Sequence, residues 1–300
     1  LTRIKKGGNS PLLDRNNLGE ITMKQLAFKT GLSLILPFSI LILWGYMADI
    51  VNNPMILPTS QEVLKQFIMP SKSIIGLGSL FTNIAVSLIR VLLGYTVALL
   101  VALPLGILMG SRENIYYFFN TFLGFFRPVP PIAWVPLILA WLGMTSFATI
   151  FGLRQGTWYV YLSNFKLSMV YIIFLGAFFP IITSAIHAVK NVPKTLIESA
   201  RVLGATKSDI FRKILLPGAA PTLMNGMRTG LGAAWGCLVS AEMLPGSLSG
   251  VGYLITHAYE LARVDIVITG MICIGVIGAL LDYAFRYLEE KKFSWQHTAR

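Results

Sequence analysis

Charge is the scarcest commodity in this sequence. Only 13% of its 300 residues are Asp, Glu, Lys or Arg, against ~25% in soluble domains, while 55% are hydrophobic and the mean hydropathy is +0.67. One soluble core cannot cover so much apolar surface. The bilayer is the natural solvent, and a chain this long supplies several spans of ~20 residues. Cysteine is nearly absent: Cys237 and Cys273 both lie in apolar runs. They read as small buried thiols and exclude a disulfide framework. Three histidines, at 187, 257 and 297, are too scattered to ligate a metal, so no metal site is expected. The phosphate loop G-x-x-x-x-G-K-[ST] is missing. GATKS at 204–208 has a Lys-Ser pair without the glycine spacing that cradles phosphate. No Ser, His and Asp converge on one side of the membrane, so an embedded enzyme finds no support. A leader peptide is not expected, because the first apolar run follows about 30 mostly polar residues with no small-residue cleavage site after it.

Positive charge is the exception, at a net +12. It does not imply nucleic acid, because the cations cluster beside apolar runs. About six spans are legible, near 31–49, 80–109, 115–143, 166–189, 218–244 and 265–288. The third is broken by RPVPPIAWVP, and a seventh is conceivable over 131–153. With the N-terminus in the cytoplasm, seventeen Lys and Arg fall on inner segments and five on outer ones. That bias follows the positive-inside rule and puts both termini inside. The expected domains are a tail and interfacial segment over 1–30, a transmembrane body over 31–290 and a short tail over 291–300. The first 22 residues read as partly disordered, and 21–30 as a short interfacial helix.

One cytoplasmic stretch stands apart: ESARVLGATKSDIFRKILLP, 198–217. Thr195 to Glu198 has capping-box spacing after Pro193. A helix from there to Leu203 then meets Gly204, whose backbone permits a sharp exit. Thr206 to Asp209 offers a second capping box. Ile210, Phe211, Ile214 and Leu215 form an apolar strip, with Arg212 and Lys213 facing away, and Pro217 is expected to stop that helix. The pattern is helix, tight turn, helix. On these grounds alone it is equally an amphipathic loop lying on the membrane.

Spacing discriminates. Glu198-Ser199-Ala200, three residues, Gly204, nine residues, Ile214, one residue, Leu216-Pro217 resembles the EAA signature of ABC-importer permeases, with Ser in place of the first Ala. ILPTSQEVL at 56–64, RPVPPIAWVPL at 127–137, GAFFPI at 176–181, GMRTGLGAAWGCLVSAEML at 226–244 and ALLDYAFRYLE at 279–289 resemble that family's nitrate/sulfonate/taurine/bicarbonate branch. The resemblance covers about residues 56–290. It departs at 146–166, where some twenty residues carrying Trp158, Tyr159, Tyr161 and Phe165 are inserted. These aromatics suit the lipid interface, a partner protein or an entry rim.

The resemblance implies an all-α integral membrane protein of the type I ABC importer permease fold, with a cytoplasmic coupling helix within 194–217. It implies a bacterial inner membrane, separate ATPase subunits that use ATP and magnesium, a second permease copy, and an extracytoplasmic substrate-binding protein. This chain itself binds no cofactor. Glu198, Ser199, Ala200, Leu203, Gly204, Ile210 and Phe211 would contact the ATPase by helix-in-groove docking. Arg127, Pro130, Trp134, Arg228, Gly230, Trp235 and Glu242 would lie along the path. Gly226, Gly230, Ala233 or Ala234, Cys237 and Ala241 fall at helical spacing, which serves a moving wall or plain helix packing. Arg90, Arg228, Glu242 and Asp282 are ionisable groups within or near the spans; such groups face protein, or else Arg228 and Asp282 sit at the cytoplasmic headgroups and Glu242 at the external ones. Either Arg127 or Arg228 would steady an anion. The segment 245–259 reads as a gate, a docking loop or a connector. Alternative cargoes are a thiamine-precursor pyrimidine or riboflavin. A carrier driven by an ion gradient is the alternative of a different class.

Overall fold

The computed structural model describes residues 15–293, apart from 72, 75, 144 and 245. The tails at 1–14 and 294–300 lie outside the described residues. Two compact units divide the chain, 1–62 and 63–300.

In the first unit one helix, α1 (Arg15–Val51), runs without interruption through Pro37. The short helix expected over 21–30 is therefore not separate from the first span. Apolar side chains from Leu34 to Ile50 are largely exposed, as lipid-facing positions should be. Near the end of α1 the Trp44 indole N–H donates to the Pro58 carbonyl at 3.0 Å. A short helix, α2 (Ser60–Ile68), follows.

Among the described residues the second unit has four long helices, three of which pack together at its centre. After Ser79, whose hydroxyl caps the Thr82 N–H, comes α3 (Leu80–Ser111). Next is α4 (Glu113–Phe126), which leads through Pro128, Pro130 and a 3-10 turn at Pro131–Trp134 into α5 (Val135–Leu142). The two halves are bent by 84°. Prolines at this break remove backbone donors and forbid a continuous helix. The expected break is present as this bend, the geometry of a broken span or of a re-entrant loop, and α5 ends at Leu142, short of the 131–153 expected of a seventh span. Two short helices, α6 (Phe147–Ile150) and α7 (Thr157–Ser163), occupy the inserted stretch. Then come α8 (Leu167–Lys190), α9 (Lys194–Val202), α10 (Lys207–Asp209), a π-helical turn at Ile210–Leu215, and α11 (Leu216–Glu242). The chain closes with α12 (Val251–Glu260) and α13 (Val264–Lys292).

Packing centres on α8, sandwiched between α3 and α11. Small residues set the distance. A Cβ on Gly106 of α3 would lie 2.5 Å from the Ala185 Cβ, and one on Gly230 of α11 would lie 2.5 Å from Ile181. Lipid is as apolar as the side chains, so close backbone approach and dispersion hold such helices together. Among the described residues, four helices are long and apolar enough to cross a membrane, or five if the bent pair is one span. At 27 residues, α11 is about 40 Å long and has the reach, but its Gly, Asn and Arg content leaves it less apolar. The segment 245–259 is not a plain connector. It holds α12, which buries Val251, Leu254, Ile255 and Ala258.

Candidate functional site

The charged stretch folds as two helices about a tight turn. No side chain caps the start of α9. It begins at Lys194 with Pro193 at the cap, so the expected Thr195–Glu198 capping box does not form. Pro193 takes the cap position, and the helix starts two residues too early for Thr195 to cap it. At its far end the Ala205 N–H reaches the Ala200 carbonyl at 3.0 Å, and the Gly204 N–H reaches Arg201 at 3.0 Å. This paired closure needs a left-handed residue, and Gly204 supplies it at φ +83°. The second capping box is present: the Thr206 hydroxyl accepts from the Asp209 N–H at 3.2 Å, and the Asp209 carboxylate accepts from the Thr206 N–H at 3.4 Å.

Lys213 pairs with Asp209 at 2.7 Å. Its hydrogen bond, with that of the Thr206 hydroxyl, holds the Asp209 carboxyl down at about 2. The same hydrogen bond raises Lys213 above the ordinary lysine value.

Pro217 does not stop the second helix. It has no N–H for the carbonyl one turn back, and the helix widens instead of ending. The Leu216 N–H bonds to Phe211, five residues back, and the π turn merges with α11. The half of the charged stretch after the turn, from Lys207, and α11 thus form one continuous element. Ile210 is buried, and Phe211, Ile214 and Leu215 pack beside the buried Val189, Val192 and Ala219. Glu198 and Ser199 are exposed and Ala200 half-buried. At the tip, Val202 and Leu203 are 88% and 86% exposed, above every other large apolar side chain among the described residues.

An open groove of about 630 Å³ runs between the proline break, α8 and α11. Arg127, Pro130, Phe179, Thr229, Ala233 and Cys237 are on its walls, and Arg127 is the one charged residue among them. The other residues expected along the path are placed elsewhere. Trp134 packs against Phe126, and its buried indole N–H has no partner. Gly230 sits against Ile181, and Trp235 is buried with its indole donating to the Ile274 carbonyl at 3.1 Å. Arg228 is engaged by Asn225 at 3.0 Å and by Asp282 and Glu289 at 3.6 Å each. Glu242 is buried and pairs with Arg90 at 2.7 Å. Sequence reading listed Arg90 as ionisable but did not join it to Glu242, which lies 152 residues away.

The family described as binding-protein-dependent transport system inner membrane component matches residues 102–294. The chain belongs to that family. It is a multi-span membrane permease of the ABC-importer type, and a carrier working alone on an ion gradient is set aside. A protein of Methanocaldococcus jannaschii designated an ABC transporter permease is 43% identical over 277 residues, 92% of this permease and 95% of the relative. The taurine transport system permease protein TauC of Escherichia coli is 30% identical over 262 residues, 85% of this chain and 86% of that one. Among solved structures, the inward-facing MetNI methionine ABC transporter superposes with a TM-score of 0.58 at 20% identity, over 72% of this permease and 96% of that chain. That likeness establishes the fold.

Proposed function

We propose that this permease moves a small anion of the nitrate, sulfonate, taurine or bicarbonate class through the groove beside Arg127. In this reading the segment from α9 to the π turn is its handle for a separate ATPase. The observation that carries the handle is the exposure of Val202 and Leu203. They lie at the end of α9 just before Gly204, in a stretch whose sequence also carries Arg201 and Lys207, and such a charged stretch suits a protein groove better than lipid. The closed turn at Gly204 and the unbroken run into α11 give the handle stiffness, so a displacement at Leu203 reaches the groove wall. Two such handles, from two copies of the chain, fit a pair of closing ATPase subunits. A substrate-binding protein on the opposite face delivers cargo.

Arg127 supports the anion reading, because a lone guanidinium in an apolar groove attracts a planar oxyanion through paired hydrogen bonds. Arg228 is the weaker candidate, being already neutralised by two carboxylates. The test is uptake of labelled taurine or nitrate by the chain reconstituted with its ATPase and binding protein. Arg127→Gln is expected to lower uptake about tenfold, equal to about 1.4 kcal/mol of lost stabilisation, while the ATPase still assembles. Undiminished uptake would remove Arg127 from the path. Uptake of a pyrimidine or riboflavin in place of the anions would change the cargo class.

A further inference from the structure

The end of α11 opposite the handle terminates in a buried charge cluster that the groove does not use. Arg90 of α3 and Glu242 of α11 are 0% and 1% exposed. Every donor of the Arg90 guanidinium is satisfied. Nε and Nη2 donate to the Asn164 carbonyl at 3.0 and 2.7 Å. Nη1 donates to Glu242 and to the Ser249 carbonyl, both at 2.7 Å, and Nη2 also reaches the Ser249 hydroxyl at 3.3 Å. The Glu242 carboxylate accepts in addition from the Ser87 hydroxyl at 2.8 Å and the Gly252 N–H at 3.0 Å. Ser87 accepts in turn from the Val251 N–H at 3.0 Å, and Asn83 accepts from the Gly250 N–H at 2.7 Å.

Four separate stretches therefore meet on one ion pair: α3, the end of α11, the 246–252 turn into α12, and Asn164 at the end of the inserted segment. Lys166, the last residue of that segment, donates to the Gly246 carbonyl and adds a second tie between the same two stretches. The turn is shaped for the purpose. Gly250 has φ +119°, and a Cβ there would lie 2.3 Å from the Glu242 carboxyl. A full set of partners, with no water needed, marks a specified geometry more than simple charge neutralisation.

We propose that Arg90 and Glu242 are positioning residues for transport. They clamp the outer turn and the inserted segment onto α3 and α11, so that the outer end of the permease moves as one body and keeps the groove sealed from that side. The inserted segment is then part of the seal and not an appendage. The inference rests on membership in the transport family and is independent of the cargo and of the handle's contacts.

Two native cysteines report it. Cys237, five residues before Glu242, lines the groove, whereas Cys273 is 4% exposed in the core. In sealed right-side-out vesicles holding the assembled transporter, a membrane-impermeant maleimide is added from outside. Glu242→Gln is expected to raise the labelling rate of Cys237 by about tenfold, because it shifts a closed outer end toward open, with Cys273 still unlabelled and the ATPase still bound. Labelling of Cys237 at the unmodified rate would overturn the proposal. If Cys273 also labels, the single variant has unfolded. The decision then passes to Arg90→Met combined with Glu242→Leu, which removes both buried charges and refills the space. Faster labelling of Cys237 alone in that pair supports the clamp, and an unchanged rate overturns it.

Discussion

Gly250 has neither room for a side chain nor a backbone that tolerates one. With φ +119° and a Cβ that would sit 2.3 Å from the Glu242 carboxyl, Gly250→Ala must displace the buried carboxylate. The expected cost is at least about 2 kcal/mol, read as a lowered Tm in detergent. Gly152 is the control: its φ is +67° but no atom lies within 4 Å of its Cβ position, so Gly152→Ala carries only the backbone strain, about 1 kcal/mol. Arg90→Met leaves Glu242 buried and unpaired, and about 3–5 kcal/mol of destabilisation is expected. Adding Glu242→Leu should return most of that, because a buried pair replaced by packed apolar groups is often neutral. A thermal-unfolding double-mutant cycle on the unaltered chain, Arg90→Met, Glu242→Leu and the pair checks both statements. None of this was legible from residue type alone. Arg90 and Glu242 were visible as expensive charges, but only the packing of α3 against α11 and the 246–252 turn brings them together.

At the scale of elements, legibility followed the strength of the periodic signal. The long apolar helices and the proline break stood out, because each carries a run or an interruption that physics reads one way. The Gly204 turn and the Thr206–Asp209 capping box were equally clear, since both are local. The π turn was missed, because Pro217 looked like a stop when only one backbone donor was lost. The helix α12 was missed although Val251, Leu254, Ile255 and Ala258 have helical spacing; the glycines before it drew attention to the loop instead. The small-residue row of α11 was read two ways, and at Gly230 it packs on α8 while Ala233 and Cys237 reach the groove.

The capped second helix of the handle carries a pH prediction. Asp209 has a lowered pKa, so its contribution is present above the ordinary carboxylate range, near ~3.9, and is lost as pH falls toward its own value. That value is about 2. Lys213 is raised, so its contribution is present below its ordinary 10.5 and disappears only above it. Protection of the Asp209 amide against hydrogen exchange, corrected for intrinsic rates, should hold at pH 5 to 9 and fall between about pH 4 and pH 2. Thr206→Ala should lose part of that protection at every pH.

On the scale of the whole molecule, α11 is the connecting member. One end continues without a break into the handle, its middle forms a wall of the groove, and its far end is fixed at Glu242 to α3 and the outer turn. A lever anchored at one end and pushed at the other tilts its middle, which is what alternating access asks of a groove wall. Stiffness at Gly204 is central to this arrangement. Gly204→Ala has open space and adds only strain, whereas Gly204→Pro removes the N–H that bonds to Arg201 and forbids φ +83°.

The most direct measurement is co-purification with ATP hydrolysis. The tagged chain is expressed with its ATPase subunits, extracted in detergent and assayed beside Leu203→Asp and Gly204→Pro. The account predicts that the unaltered chain brings down an active ATPase, while both variants reach the membrane at the same yield and bring down little or none. An ATPase that binds both variants as well as the unaltered chain would contradict it, and the exposed tip at Val202 and Leu203 would not be the handle.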